Sequence, residues 1–423
     1  MTSVFSEHID WIAPERAFAP FRIQDGSLLL HGGQNSQSRL YALATDWLNF
    51  WPGDDLNEFL DKARTALASG CQLAGLFHYE FGEVLEPRFQ PSSTILPLVQ
   101  LGVYPAWAVF DPATETLTVM GDDEARARLK TGLHIGDPPA KPASGQINPD
   151  WTQDKYLQAC NMLIDHVRAG DIYQANLSQG FSGRLKGDPW AVFLRLIRQS
   201  DAPHAAWFRP TPSNVVITNS PERFLKLENG LVESRPIKGT RPRRADPAED
   251  ANEAVALADS AKDKAENLMI VDLMRHDLSR VCNPGSIRVP RLNAVESYAN
   301  VHHLVSTVEG RLQESKDALD LLVAAFPPGS ITGAPKIRAM ELIAAAEQDR
   351  RGSYCGALGW IGEGGQSMDL NVMIRTLDLI RSDSDWGVSA RSGGAITIDS
   401  DPVSEYEETL HKLSALKAAL EAG

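Results

Sequence analysis

Cysteine is scarce in this chain. Its four cysteines (Cys71, Cys160, Cys282 and Cys355) are scattered over 423 residues without paired spacing. That excludes a disulfide framework or a CxxC-type zinc site and points to a reducing, cytoplasmic compartment. Long apolar runs are also missing: none approaches the ~20 residues a membrane helix needs, so no membrane role is expected. The opening "MTSVFSEHIDWIAPERA" has no basic stretch followed by an apolar core, so no secretory signal is expected either. Positive charge is in deficit, with 41 Lys and Arg against 55 Asp and Glu and a net charge of −14. Such a balance argues against nucleic acid, which demands a concentrated basic face. It leaves room for a small anionic substrate, met locally by arginines, backbone amides or a metal.

What is present suits a globular chain of two or three domains, with 43% hydrophobic and 23% charged residues. A run rich in proline, glycine and small residues, "GDPPAKPASGQINPDW" (136–151), reads as a linker or long surface loop. It divides an N-terminal region (1–145) from a C-terminal one (150–423). Before it, short apolar runs such as "SLLLHGG" and "LAGLFHYEFGEVL" suggest mixed α and β structure. His78 and Glu80 form a possible site pair there, though an ordinary half-buried strand is the better reading. After it, "TQDKYLQACNMLIDHVRAG" predicts a helix capped by Thr152, with Tyr156, Cys160, Leu163, Ile164 and Val167 on one face and a stop at Gly170. The next strand, "DIYQANLSQGF", carries Gln174, Asn176 and Ser178 on one unusually polar face. That face either lines a cavity or looks out to solvent.

Asn229-Gly230 predicts a hairpin, with Pro221 and Glu222 in the turn before it. Glu222 lies 16 residues before Lys238, so antiparallel pairing can bring the two together. Lys238 itself sits in "ESRPIKGTRPRRADP", crowded by Arg235, Arg241, Arg243 and Arg244. Such company disfavours an ammonium and should lower its pKa. From these residues alone it is either a solvated cation or an activated amine.

Carboxylates stand where a core is expected. The segment "AKDKAENLMIVDLMRHDLSRVC" (261–282) predicts a helix that is apolar most of the way round, with Glu266 on the stripe of Ile270, Leu273 and Asp277. A carboxylate there needs a cation; a metal or Lys262, four residues earlier, would serve equally. The C-terminal helix after Pro402 has an apolar face of Tyr406, Leu410, Leu413, Leu416 and Leu420, with Glu405 and Glu408 on its flank. Carboxylates converging from separate helices suit Mg²⁺. Arg375, among apolar neighbours, calls for a carboxylate partner, and Gly393-Gly394 allow close approach of backbone N–H groups to a ligand.

From about Asp154 onward, the stretches "GDIYQANLSQ", "SPERF", "RPIKGT", "AENLMIVDLMRHDLSRV", "VHHLVSTVEG", "FPPGSITGAPKIRAME" and "SEYEET" resemble, in order, those of the chorismate-utilising enzymes. The resemblance implies an α+β fold: a large sandwich of two facing antiparallel sheets flanked by helices, with the N-terminal region part of the same body. It implies Mg²⁺ held by Glu266 and Glu408, with Glu405 nearby, on the ring carboxylate of chorismate. Glu222 becomes the general acid and Lys238 the nucleophile. Arg375, Gly393 and Gly394 hold the enolpyruvyl carboxylate, and His303 and Thr240 lie near the ring and its leaving hydroxyl. The branch of the family that aminates chorismate at C4 carries lysine in Pro-Ile-x-Gly-Thr, as here, whereas the anthranilate-forming branch typically carries alanine. The water-using branch carries a lysine base where this chain has Gln174. The implied product is therefore 4-amino-4-deoxychorismate, the precursor of p-aminobenzoate and folate, with anthranilate the alternative. No cysteine lies in a glutaminase-type Gly-x-Cys-x-Gly turn, so ammonia from glutamine implies a separate amidotransferase subunit. Two positions depart from the family pattern: His276 replaces an asparagine, and Trp360 replaces a tyrosine that donates to a substrate carboxylate.

Overall fold

The computed structural model describes residues 5–89, 94, 96–133, 140–200, 202–298 and 301–422. They form two antiparallel sheets, of twelve and ten strands. In the larger sheet, Ser27–His31 pairs with His204–Thr211, which pairs with Asn214–Ser220; the ladder continues through Thr376–Ser382 and Asp385–Ile396 to Gln174–Gly187. In the smaller, Ile237–Pro242 lies at one edge beside Val301–Arg311, while Gln72–Phe77 pairs with Ala357–Ile361. Both sheets thus take strands from before residue 145 and after residue 150.

The sheets face each other over an apolar layer that includes Leu28, Tyr41, Trp107 and Phe208 from one and Leu76, Tyr104 and Leu358 from the other. The Tyr41 and Tyr104 rings are 5.2 Å apart, and the Tyr41 hydroxyl donates to Gln72 Oε1 at 2.7 Å across the layer. Because both faces of the larger sheet are covered, a strand such as Asn214–Ser220 is buried at every residue instead of alternating. Its outer face is roofed by Pro189–Gln199 and the second half of Pro402–Glu421, through Trp190, Phe193, Leu413, Leu416 and Leu420. The smaller sheet is roofed by Leu56–Ala68, Ala261–Ser279 and Ala318–Ala325.

Local expectations hold where they rest on caps and turns. Thr152 caps Gln153–Arg168 by accepting from Lys155 N, and Gly170 follows at φ +81°. Asn229 and Gly230, at φ 52° and 73°, make the hairpin turn. The linker reading fails over Ala143–Pro149, which is an edge strand paired with Phe181–Gly187. Ala143 and Ile147 point inward, and its proline sits at the strand end where no ladder donor is lost. The start of that stretch (136–139) lies outside the described residues. The helix Ala261–Ser279 is not apolar-packed all round. Leu268 is 47% exposed, because only the side bearing Asn267, Ile270, Val271, Met274 and Leu278 meets the sheet. On the last helix Leu410 is likewise exposed, and the buried stripe is Glu405, Thr409, Leu413, Leu416 and Leu420.

Candidate active site

Two sheet-to-sheet crossings lie side by side. Glu222 sits where the chain passes from Asn214–Ser220 in the larger sheet to Arg223–Glu228 in the smaller. Arg375 sits on the return, between Met368–Val372 and Thr376–Ser382, at φ 52°. Ser220 Oγ donates to Val372 O at 2.6 Å, Val372 N to Glu222 O at 3.0 Å, and Asn219 N to Arg375 O at 3.0 Å. The backbones of the crossings that carry Glu222 and Arg375 are thereby locked together.

Glu222 is buried, and burial pushes its carboxyl up to about 7, with Ser330 and Lys238 pulling the other way. Lys238 lies on the edge strand Ile237–Pro242. Burial lowers the pKa of its amine, opposed by Glu266, Glu222 and Glu408 and reinforced by Lys412. Its ammonium makes no ion pair with any described residue. The direction matches the sequence expectation, but the cause differs. The four neighbouring arginines are each neutralised: Arg235 by Glu296, Arg241 by Asp263, Arg243 by Asp250 and Arg244 by Glu253. Desolvation, not arginine repulsion, perturbs the lysine.

Facing Lys238 is an acidic group drawn from two helices. Glu266 comes from Ala261–Ser279; Glu405 and Glu408 come from Pro402–Glu421. Burial pushes the Glu266 and Glu405 carboxyls up. Glu405 Oε1 accepts from Ser400 Oγ at 2.7 Å, whereas its buried Oε2 has no hydrogen-bond partner. A Cβ on Gly394 would lie 2.9 Å from that oxygen. Burial also disfavours the Glu408 carboxylate, but Lys412 Nζ at 2.6 Å outweighs it and holds its pKa below the usual range. Lys262 makes no ion pair with Glu266 among the described residues. Within them no three acidic, imidazole or thiol groups converge closely enough to cage a metal. An orphaned buried carboxylate oxygen over a glycine cradle fits a hard cation such as Mg²⁺. Mg²⁺ commonly takes one or two carboxylates and completes its shell with water and substrate oxygens.

Of the remaining candidates, Gly393 and Gly394 touch this acidic group through Lys412 and Glu405, while His303 and Thr240 pair with each other beside Arg375. His303 Nδ1 is 2.9 Å from Thr240 Oγ1, and its buried Nε2 has no partner. Burial, with Arg375 beside it, lowers the His303 pKa to about 4, so the imidazole is neutral. Arg375 has no carboxylate partner among the described residues, contrary to expectation, and burial alone lowers its pKa. A desolvated guanidinium without an internal anion is a receptor for an external one. Gln174 is fully buried, and both its amide N and O lack partners, as does Asn176 Nδ2. The polar face of that strand therefore lies inside the protein. Gly393 and Gly394 pair with Ser178 and Leu177 on the adjacent strand.

Trp360 is not brought into this group. It lies on Ala357–Ile361 with its ring 3.7 Å from the Arg39 guanidinium, lining an inter-sheet cavity of about 300 Å³ with Leu30, His31 and Arg223. His276 is exposed on its helix. His78 and Glu80 are buried; Glu80 Oε1 accepts from Arg351 N at 2.7 Å, tying a backbone turn. Sequence reasoning missed Lys412, whose Nζ reaches both Glu408 and, at 2.9 Å, Gly393 O. Its position four residues after Glu408 was the available signal.

A perturbed acid–amine pair, set against carboxylates from two helices, is the arrangement expected of a chorismate-utilising enzyme. The comparisons agree: the chorismate binding enzyme family matches residues 24–418, and the chain belongs to that family of enzymes. It is 40% identical to aminodeoxychorismate synthase component 1 of Escherichia coli over 353 residues, 82% of this chain and 76% of the relative. It is 42% identical to anthranilate synthase component 1 of Streptomyces coelicolor over 269 residues, 64% of this chain and 52% of the relative. Among solved structures, anthranilate synthase component I of Streptococcus pneumoniae superposes with a TM-score of 0.80 at 28% identity. That alignment covers 90% of this chain and 92% of the other. Among the described residues no helix is long and apolar enough to cross a membrane.

Proposed function

We propose that the chain aminates chorismate at C4 with ammonia, giving 4-amino-4-deoxychorismate and water. The observation that carries this reading is Lys238: a desolvated amine in "PIKGT", without an ion pair among the described residues, beside a carboxyl pushed up to about 7. Neutral Lys238 attacks C2 as both conjugated ring double bonds shift, C1=C2 to C1=C6 and C5=C6 to C4=C5, and the C4 hydroxyl departs as water, protonated by Glu222, while the amine sheds a proton. Ammonia then adds at C4, both double bonds shift back, and Lys238 leaves C2 as the neutral amine, taking up the proton that the incoming ammonia gives up. Neutral His303, held by Thr240, and Gln174 line the ring, while Arg375 and the Gly393-Gly394 backbone take the enolpyruvyl carboxylate. Glu266 and Glu408, with Glu405 nearby, would supply one or two carboxylates to a Mg²⁺ that neutralises the ring carboxylate when bound. The resemblance of 82% of the chain to aminodeoxychorismate synthase component 1 supports the same product, and the name of that relative as one component supports a partner subunit, which we take to be a glutamine amidotransferase supplying ammonia.

The second reading, anthranilate formation, is favoured by the comparable identity to an anthranilate synthase over the C-terminal region. Elimination of pyruvate separates the two. Purified chain with chorismate, Mg²⁺ and an ammonium salt is expected to consume chorismate without releasing pyruvate in a coupled assay. Stoichiometric pyruvate would overturn the proposal in favour of anthranilate.

A further inference from the structure

Behind the site lies a buried charged knot that the reaction outlined above does not use. Glu347, the last residue of the helix Lys336–Glu347, is 1% exposed. Its Oε1 accepts from Ser178 N and Oγ at 2.8 Å each and from Arg351 Nη2 at 2.7 Å. Its Oε2 accepts from Arg351 Nε and Arg391 Nη2, each at 3.0 Å. The two guanidiniums grip backbone as well. Arg351 donates to Ile331 O at 3.0 Å and Asn176 O at 2.5 Å. Arg391 donates to Ser178 Oγ at 3.1 Å and Ser178 O at 3.3 Å. Burial works against the Glu347 carboxylate, yet Arg351 and Arg391 hold its pKa below the usual range.

Most of the gripped atoms belong to segments that carry the site; Arg391 Nη1 also reaches Arg350 O at 3.3 Å and Asp349 Oδ2 at 3.4 Å, just beyond the helix end. Asn176 and Ser178 follow Gln174 on one strand, Arg391 precedes Gly393 and Gly394 on its neighbour, and Ile331 follows Ser330, which lies against Glu222. Gln174 has no side-chain partner of its own, so its backbone alone sets where its amide stands. We infer that Glu347, clamped between Arg351 and Arg391, is a positioning residue that holds the Gln174 strand and the Gly393-Gly394 strand in register around the substrate. A buried carboxylate shared by two guanidiniums fixes geometry more than it stabilises, since desolvation cancels much of the attraction, and losing one member leaves an unpaired charge.

The test rests on the proposed chorismate chemistry and follows chorismate consumption with ammonium, titrating each substrate separately. Asp369→Asn serves as a stability control, because it breaks another largely buried pair, Arg223–Asp369 at 3.0 Å, that shares no member with the Glu347 knot. Glu347→Gln is expected to lower kcat/KM for chorismate by about tenfold or more, the size of effect a small misplacement produces, with KM for ammonium unchanged. Asp369→Asn at a similar melting temperature is expected to keep wild-type kinetics. If Glu347→Gln does not fold, Arg391→Lys, which keeps the charge but loses the fork, must show the same selective loss. Wild-type constants in the variant that folds, or a loss matched by Asp369→Asn, would overturn the inference. A wild-type chain that leaves chorismate untouched would overturn the reading beneath it, and this inference with it.

Discussion

The Glu405 carboxylate lies so close over Gly394 that a Cβ added there would stand 2.9 Å from Oε2. That oxygen is buried and has no partner, so a methyl group at residue 394 would occupy the space a cation or substrate oxygen should fill. Gly394→Ala is expected to fold normally and to lose chorismate turnover by about tenfold or more. Steady-state kinetics beside a thermal melt check this; retained turnover would show that the cradle is packing only.

The acid–amine pair fixes the pH profile. Glu222, with its carboxyl pushed up to about 7, is the competent acid below that pH and loses its proton above it, so kcat/KM should fall as pH rises through about 7. Lys238 must be neutral to attack, and its lowered pKa increases that fraction as pH rises, giving the opposite, acidic limb. The two limbs belong to the interacting pair. Glu222→Gln should remove the alkaline limb and cost ~10²–10⁴-fold in rate.

Lys238→Ala should abolish the step from chorismate to any aminated product, whereas a lining role would leave most of the ammonia-dependent rate. Quenched single-turnover samples of the wild type, analysed by intact-protein mass spectrometry, should show an adduct that the variant lacks.

Metal dependence is a separate expectation. Chelation should stop turnover and Mg²⁺ should restore it, and Glu405→Gln should raise the Mg²⁺ concentration needed for half-maximal rate. Turnover that survives exhaustive chelation would contradict the assignment of Glu266, Glu405 and Glu408.

Part of the candidate site was legible locally, because Glu266 lies on an apolar helical stripe and Glu405 and Glu408 flank another, whereas the roles of Glu222, His303 and Thr240 came only with the family resemblance. Glu405 proves more buried than Leu410, which a simple apolar stripe placed in the core. Caps and the Asn229-Gly230 turn were legible because they are local. The cause of the Lys238 shift was not, since nothing local tells that Arg235, Arg241, Arg243 and Arg244 each find an acid elsewhere in the chain. Trp360 was misplaced for the same reason: strand order, not sequence spacing, sets it under Arg39 between the sheets. The Glu347 knot joins residues up to 213 positions apart, as Ser178 and Arg391 are, and no spacing rule reaches that far.

The central claim is amination at C4 with the enolpyruvyl group retained. Liquid chromatography with mass spectrometry on a reaction of purified chain, chorismate, Mg²⁺ and ammonium tests it most directly. The account predicts a product with the mass of 4-amino-4-deoxychorismate, absent with Lys238→Ala. Anthranilate with pyruvate, or the same product from Lys238→Ala at an undiminished rate, would contradict it.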